Sequence, residues 1–558
     1  MNCMLNIENI KELIFDIPFI REIYSIEKKD LIIEGKIEIF FDGLDKALDF
    51  SFEIYPQYPL KYHNSESIRF FNKDLIEINH VMEDGYICIH NSHNLNFKQK
   101  LLMDFDSLKQ WIEKYYINHK KDSNYEHIVV EESLIDDEYH SYIFTDVNYK
   151  FNKGDYGEVK LSSLSNTIFK GKPIQNFLVS GFIINKANIN CQWNSYYQNH
   201  NTNKKGLFYF LEEHPAKYNK FIFNNWKDFK GLISKDFLNF LHQIEQKKLK
   251  KYKGILLPLF FGYKTINDEI HWQVALIKFG EFPIIGEQEI LLGLKTGKWN
   301  SKLIDSDIKW ALTRNSSYKY FFGRGILDKS ITEKKILIIG VGAIGSILAK
   351  TLTRSGCKYI DIIDYDIKEP ENVCRSEYIF QFGLTDKVTE LEQILVSISP
   401  FVEITLLKDE FFESTTKIIY KNDNGKDFLT LILNNYDIVF DCSTDNDLMY
   451  ILNNLDLKCD LINLSITNHA QELVCGFYPN IYHFVDTQFR SILQNDLQDL
   501  YEPTGCWNPT FKASYNDINT LVQFSIKHIN NHYRDDKQKN NFIVKMSNDN
   551  LKLEIKEY

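Results

Sequence analysis

Apolar positions recur along this chain in three different rhythms, each marking a different kind of element. LIIEGKIEIFF (31–41) and ALDFSFEIYP (47–56) alternate with a period of two, which predicts paired strands that bury one face. A loop carrying Pro56 and Pro59 follows, then a short strand at SIRFF, and SLKQWIEKYYINHK reads as a closing helix. Residues 1–125 are therefore expected to form an α+β domain. Between 126 and 310 the signals are mixed, with strands at FLVSGFIIN and HWQVALIKF and a helix at KDFLNFLHQIEQKKLKKYK. No chemistry-bearing motif stands out there, and a mixed α/β connecting domain is expected. Its basic KKLKKYK run reads as a solvated helix end.

From 311 to 558 strands and helices alternate. ILIIG, YIDIIDYD, EITLLK and YDIVFDC are short apolar runs ending in polar residues, as parallel strands do. SILAKTLTRSG and DKVTELEQILVSI are the helices between them, the second stopped by Pro400. The pattern predicts a doubly wound, Rossmann-like α/β sheet with its ligand site at the carboxyl ends of the strands. Residues 535–550 read as a surface loop before a last strand, LKLEIK.

With 558 residues the chain is too long for one core. A net charge of −11 argues against direct nucleic-acid binding, which needs a basic face. No apolar run is long enough to span a bilayer, and the N-terminus lacks the basic start and apolar block of a signal peptide. A cytoplasmic protein with reduced thiols is expected. The nine cysteines form no CxxC pair, so neither a disulfide framework nor a cysteine zinc site is expected.

Chemistry concentrates in two places. KKILIIGVGAIGS places Gly340, Gly342 and Gly345 in a strand–turn–helix that lets the backbone approach phosphate at a helix N-terminus. A dehydrogenase would need one acid after the second strand, and Asp364 stands there. The run continues, however, through Asp366, Asn372 and Arg375 to Lys387, and Asp445 closes a further strand in VFDCSTDN. Amide and cationic donors so clustered suit a triphosphate and a departing pyrophosphate better than a dinucleotide.

These motifs together resemble the ubiquitin-activating and ThiF/MoeB-type adenylation domains. The resemblance implies that Asp364 binds the ATP ribose, that Arg375 and Lys387 contact phosphates with Asn372 beside them, and that Asp445 holds Mg2+. Family members also use an arginine from before the first strand, for which Arg324 is taken and Arg314 is the rival. A homodimer is implied as well.

The second place is sulfur chemistry. Cys506, in EPTGCWNPTFKASYNDI, follows Gly505 in a loop, whereas Cys475 sits in an apolar strand. In the ubiquitin-activating family a cysteine downstream of the nucleotide site takes the acyl group from AMP. Cys506 is expected to be that nucleophile. Near the N-terminus, YPQYP precedes INHVMEDGYICIH, in which Cys88 follows a glycine turn. This resembles the ubiquitin-conjugating fold. There a His-Pro-Asn triplet places an oxyanion-stabilising asparagine eight positions before the cysteine. Here the triplet is Ile78-Asn79-His80, so His80 takes the asparagine's place.

The order of the two parts resembles the activating–conjugating fusion enzymes of bacterial antiphage operons, those of type II CBASS systems in particular. That resemblance implies adenylation of a partner protein's free C-terminus, that of a cyclic-oligonucleotide synthase. The acyl group would then pass through Cys506 and Cys88 to an amine on a target. The alternative is a sulfur-carrier adenylyltransferase.

Overall fold

The computed structural model describes residues 7–61, 65–120, 130, 134–199, 204–265, 268–291, 294–407, 424–467, 470–493, 513–546 and 552–558. The chain forms two compact units. One comprises 1–136, 151–156 and 207–313; the other comprises 137–150, 157–206 and 314–558. The expected connecting stretch thus contributes to both. Among the described residues no helix is long and apolar enough to cross a membrane.

In the first unit, helix α1 (Ile7–Phe15) precedes an antiparallel meander of β1 (Ile20–Lys29), β2 (Ile32–Ile39), β3 (Leu48–Ile54) and β4 (Ile68–Phe71). Strict alternation along β3 buries Leu48, Phe50, Phe52 and Ile54. They pack with Leu101, Phe105 and Leu108 of helix α2 (Phe97–Trp111). Asn96 starts α2 by accepting the Gln99 N–H, nearly three turns before the expected closing helix begins at Ser107. The same unit pairs Leu207–Phe210 in parallel with Leu256–Lys264, itself antiparallel to Ile270–Lys278. Helix Lys235–Tyr252 packs Phe237, Leu238 and Leu241 into that second core.

The second unit is built on an eight-stranded sheet. Its strands are β5 (Lys335–Ile339), β6 (Tyr359–Ile363), β7 (Glu403–Leu406), β8 (Ile438–Asp441), β9 (Asp460–Ile466), β10 (Glu472–Phe477), β11 (Phe542–Met546) and β12 (Leu553–Glu557). The spatial order is β7-β6-β5-β8-β9-β10-β11-β12. The first five are parallel and the last three antiparallel. Its helices include α3 (Ala343–Arg354), α4 (Lys387–Ile398), α5 (Asn446–Asn453) and α6 (Tyr515–Arg534). The chain order reverses beside β5, which makes the gap at its carboxyl end the switch point of the sheet. Within this unit Asn194 Nδ2 donates to the carbonyls of Ser399 and Val402, and Ser195 binds the Glu403 carboxylate.

Candidate functional site

Three strands end level at the switch point. Ile339 of β5 lies opposite Ile363 of β6 and Asp441 of β8, so the residues that follow, Gly340, Asp364 and Cys442, leave the sheet side by side. Gly340 has φ +79°, and a Cβ there would stand 2.6 Å from Ser443 Cα. A Cβ on Gly345 would meet the Gly340 carbonyl oxygen at 2.0 Å. These two glycines bring the turn against the loop after β8 and against helix α3. Gly342, at the start of α3, has open space in front of it. A bare helix N-terminus therefore faces outward, a place where an anion is favoured.

Asp364 ties this turn to β6. Its Oδ2 accepts the Val341 N–H at 2.7 Å and its Oδ1 accepts the Asp366 N–H at 2.9 Å. Burial pushes its carboxyl above the usual range despite those donors. Asp445 is exposed and caps α5, its Oδ1 accepting from Asp447 and Leu448 N–H at 2.9 and 3.1 Å. Behind it the buried Asp441 accepts from Ser443 and from Asn463 Nδ2. Burial, with Asp445 adding to it, raises Asp441. Asp445 keeps its second oxygen free of the cap, which fits the single carboxylate that Mg2+ usually takes beside phosphate oxygens and water.

The basic residues sit differently. Lys387 opens α4, is buried, and pairs with Asp366 at 2.7 Å, so part of its charge is already neutralised. Asn372 uses its carbonyl oxygen to accept the Glu369 N–H at 2.9 Å. Arg375 is half-buried with no side-chain partner among the described residues, an uncompensated guanidinium suited to an anion. This segment leans on the glycine turn and α3, for Tyr378 donates to the Val341 carbonyl at 2.5 Å and Glu377 pairs with Lys350. Arg324 lies on an exposed turn after Tyr318–Phe321, and Arg314 is exposed at the end of strand Trp310–Asn315.

Cys506 lies outside the described residues. Its rival Cys475 is fully buried in β10, and burial drives its thiol well above the usual range, which makes it a poor nucleophile.

Cys88 follows a turn in which Gly85 takes φ +91° and Met82 N–H donates to the Tyr86 carbonyl. Its own N–H donates to the His80 carbonyl at 2.8 Å. His80 itself has φ +64°, and its ring packs on Tyr115 at 4.8 Å. A group that sequence reasoning missed is closer to the sulfur: His90 Nε2 lies 3.5 Å from Cys88 Sγ. A Cys-x-His spacing on extended chain places both side chains on one face, and that period of two was the available signal.

Two supports of this loop were also missed. Beneath it, Lys100 Nζ pairs with Glu66 at 2.7 Å and Asp104 at 2.5 Å, all three buried. Tyr58 of the YPQYP loop donates to Asp104, and Asn91 donates to both carboxylates, its N–H to Glu66 and its Nδ2 to Asp104. Burial works against ionised Glu66, but the bonds from Lys100 and Asn91 outweigh it and hold Glu66 low. Asp104, more deeply buried, is raised. At the loop's other side, Lys220 Nζ donates to the carbonyls of Ile76, Ile78 and Val81, the last two at 2.7 and 3.1 Å. Burial pushes this ammonium down to about 8. Tyr218 and Asn219, both at positive φ, form the tight turn that presents it.

Comparison with known proteins bears on the second unit. Residues 315–476 match the ThiF family. The chain is 27% identical over 292 residues to the ATP-dependent ubiquitin transferase-like protein Cap2 of Enterobacter hormaechei subsp. hoffmannii (strain UCI 50), covering 50% of this chain and 46% of that one. It is 28% identical over 125 residues to adenylyltransferase and sulfurtransferase MOCS3 of Drosophila grimshawi, covering 22% and 25%. The chain spans less than half the length of these curated relatives. A crystal structure of E. coli MccB with MccA overlaps 41% of this chain and 65% of its own at 15% identity, with a TM-score of 0.29. The glycine turn, Asp364, Arg375 and the Asp445 loop all fall inside the span 315–476 that matches the ThiF family.

Proposed function

We propose that the chain is an ATP-dependent protein-conjugating enzyme that adenylates the C-terminal carboxylate of a partner protein. One observation carries this reading: Gly340, Asp364 and the Ser443–Asp445 loop leave three level strands together, beside a bare helix N-terminus. The α-phosphorus of ATP is attacked by a carboxylate oxygen, giving an acyl-adenylate and pyrophosphate. Asp364 accepts from the ribose hydroxyls. The α3 N-terminus, Arg375, Lys387, Asn372 and Arg324 hold phosphate charge, and Lys387 would exchange Asp366 for phosphate on binding. Mg2+ held by Asp445 would neutralise pyrophosphate as it departs.

The thiolate of Cys506 then attacks the acyl carbon and expels AMP. Cys88 takes the acyl group by thioester exchange, and an amine attacks to give an amide and free thiol. His90, 3.5 Å from the Cys88 sulfur, is placed to take the thiol proton, and His80 is kept for the oxyanion. The similarity to the ATP-dependent ubiquitin transferase-like protein Cap2 supports the ATP-dependent activating step. The reading takes a cyclic-oligonucleotide synthase as the partner, a target protein or other amine as acceptor, a homodimeric state and a cytoplasmic setting.

The similarity to MOCS3 favours a second reading, a sulfur-carrier adenylyltransferase. Trapping separates the two. The chain, Mg·ATP and the synthase should give a thiol-reducible adduct. Cys506→Ala should lose both thioesters and Cys88→Ala only the second. A thiocarboxylate on the partner and no reducible adduct at Cys88 would support the sulfur-carrier reading. Loading of Cys88 in Cys506→Ala would reverse the relay order.

A further inference from the structure

A cluster toward the C-terminal end of helix α6 has the makings of a metal site. His528 and His532 are one turn apart on α6 and share a face. Glu557 comes from β12, where it lies opposite Phe542 of β11. Its Oε1 stands 3.0 Å from His528 Nε2 and 3.2 Å from His532 Nε2. The three ligand atoms all fall within 4.8 Å of one another. Zinc bound tetrahedrally at about 2.0–2.2 Å from nitrogen and oxygen sets neighbouring ligand atoms roughly 3.3 Å apart. The spacing between the carboxylate oxygen and each imidazole nitrogen is close to that.

The surroundings fit as well. His532 is 4% exposed, so its ring is held in place by packing. The Phe542 ring stands edge-on to His528 at 4.7 Å and closes one side with apolar surface. Asn540 Nδ2 approaches the other carboxylate oxygen, Oε2, at 3.4 Å and orients it. Glu557 is 43% exposed, which leaves an opening for an ion and a water as fourth ligand. Two neutral imidazoles and one carboxylate suit a divalent ion of zinc type better than magnesium or calcium, which prefer all-oxygen sites.

We propose that His528, His532 and Glu557 bind one zinc ion, which staples helix α6 to the last strand of the sheet. The site is independent of the adenylation reading. It would join an element packed on the Rossmann-like core to an edge strand, a structural role and not a catalytic one.

The test uses the full chain and zinc chloride alone. After zinc loading and gel filtration, the wild type should retain one zinc more per chain than the His528→Ala/His532→Ala variant, measured by elemental analysis. Saturating zinc should raise the wild-type melting midpoint by about 5–10 °C and leave the variant unmoved. Glu557→Gln keeps the side chain's shape and should weaken zinc binding by about tenfold or more, so it carries the test if the double variant does not fold. Equal zinc content and equal zinc response in wild type and Glu557→Gln would overturn the proposal. The cluster would then be a carboxylate hydrogen-bonded to two imidazoles.

Discussion

Replacing Lys220 by methionine tests whether a residue outside the Cys88 segment holds the Cys88 loop in shape. The substitution keeps the length of the aliphatic stem and removes three N–H donors from the carbonyls of Ile76, Ile78 and Val81. A fully buried charge-assisted bond contributes about 1.5–3 kcal/mol. The ammonium here is half-exposed and the freed carbonyls regain water. The combined loss is therefore discounted to about 2 kcal/mol, a factor of about thirty in the opening equilibrium of the loop. Amide hydrogen exchange reads that equilibrium directly. The N–H groups of Ile78, Val81 and Cys88, which bond to Leu75, Ile78 and His80 carbonyls, should lose about thirtyfold protection. Core amides of β3 should be unchanged. Lys220→Arg should recover part of the loss. Unaltered exchange at all three amides would refute the reasoning, because the loop would then hold its shape without the lysine.

Gly345→Ala should destabilise the second unit by about 3 kcal/mol or more, since its Cβ would sit 2.0 Å from the Gly340 oxygen and backbone must move. Denaturant unfolding checks it. Asp364→Asn should lower ATP–pyrophosphate exchange by about a hundredfold, because an amide cannot accept at both the Val341 and Asp366 N–H groups. Lys100→Met should cost about 3–5 kcal/mol by stranding two buried carboxylates. In the wild type Glu66 has a lowered pKa, so its stabilisation is present above its unfolded value of 4.5 and is lost as pH falls through the lower folded value. Acid unfolding of Lys100→Met should lack that component. His90→Ala should slow alkylation of Cys88 by iodoacetamide about tenfold near neutral pH if the imidazole assists thiolate formation, while His80→Ala tests the rival group.

What the sequence made legible was what is local. ILIIG, YIDIIDYD and YDIVFDC read as parallel strands because each is a short apolar run closed by a polar residue, and β5, β6 and β8 are those strands. Cys475 read as a buried strand residue, and it is one. The capping work of Asn372 and Asp445 and the pairing of Lys387 with Asp366 were not legible, because a side chain's partner depends on where the loop turns. Lys220 lies more than a hundred residues from the carbonyls it binds, and no periodicity links the two. The Glu66–Lys100–Asp104 network escaped for the same reason. Buried charges are invisible to a hydrophobicity pattern, which reads charged positions as solvent-facing. His528 and His532 sit at helical spacing in a segment to which the sequence reading assigned no chemistry, and the carboxylate that completes the cluster comes from a strand.

Partner-dependent ATP–pyrophosphate exchange tests the central claim most directly. The full chain with Mg·ATP should catalyse exchange with a peptide copying the C-terminus of the cyclic-oligonucleotide synthase and ending in a free carboxylate. It should give none with the same peptide amidated. Equal exchange with both peptides, or none with either from a folded protein that binds ATP, would contradict the account.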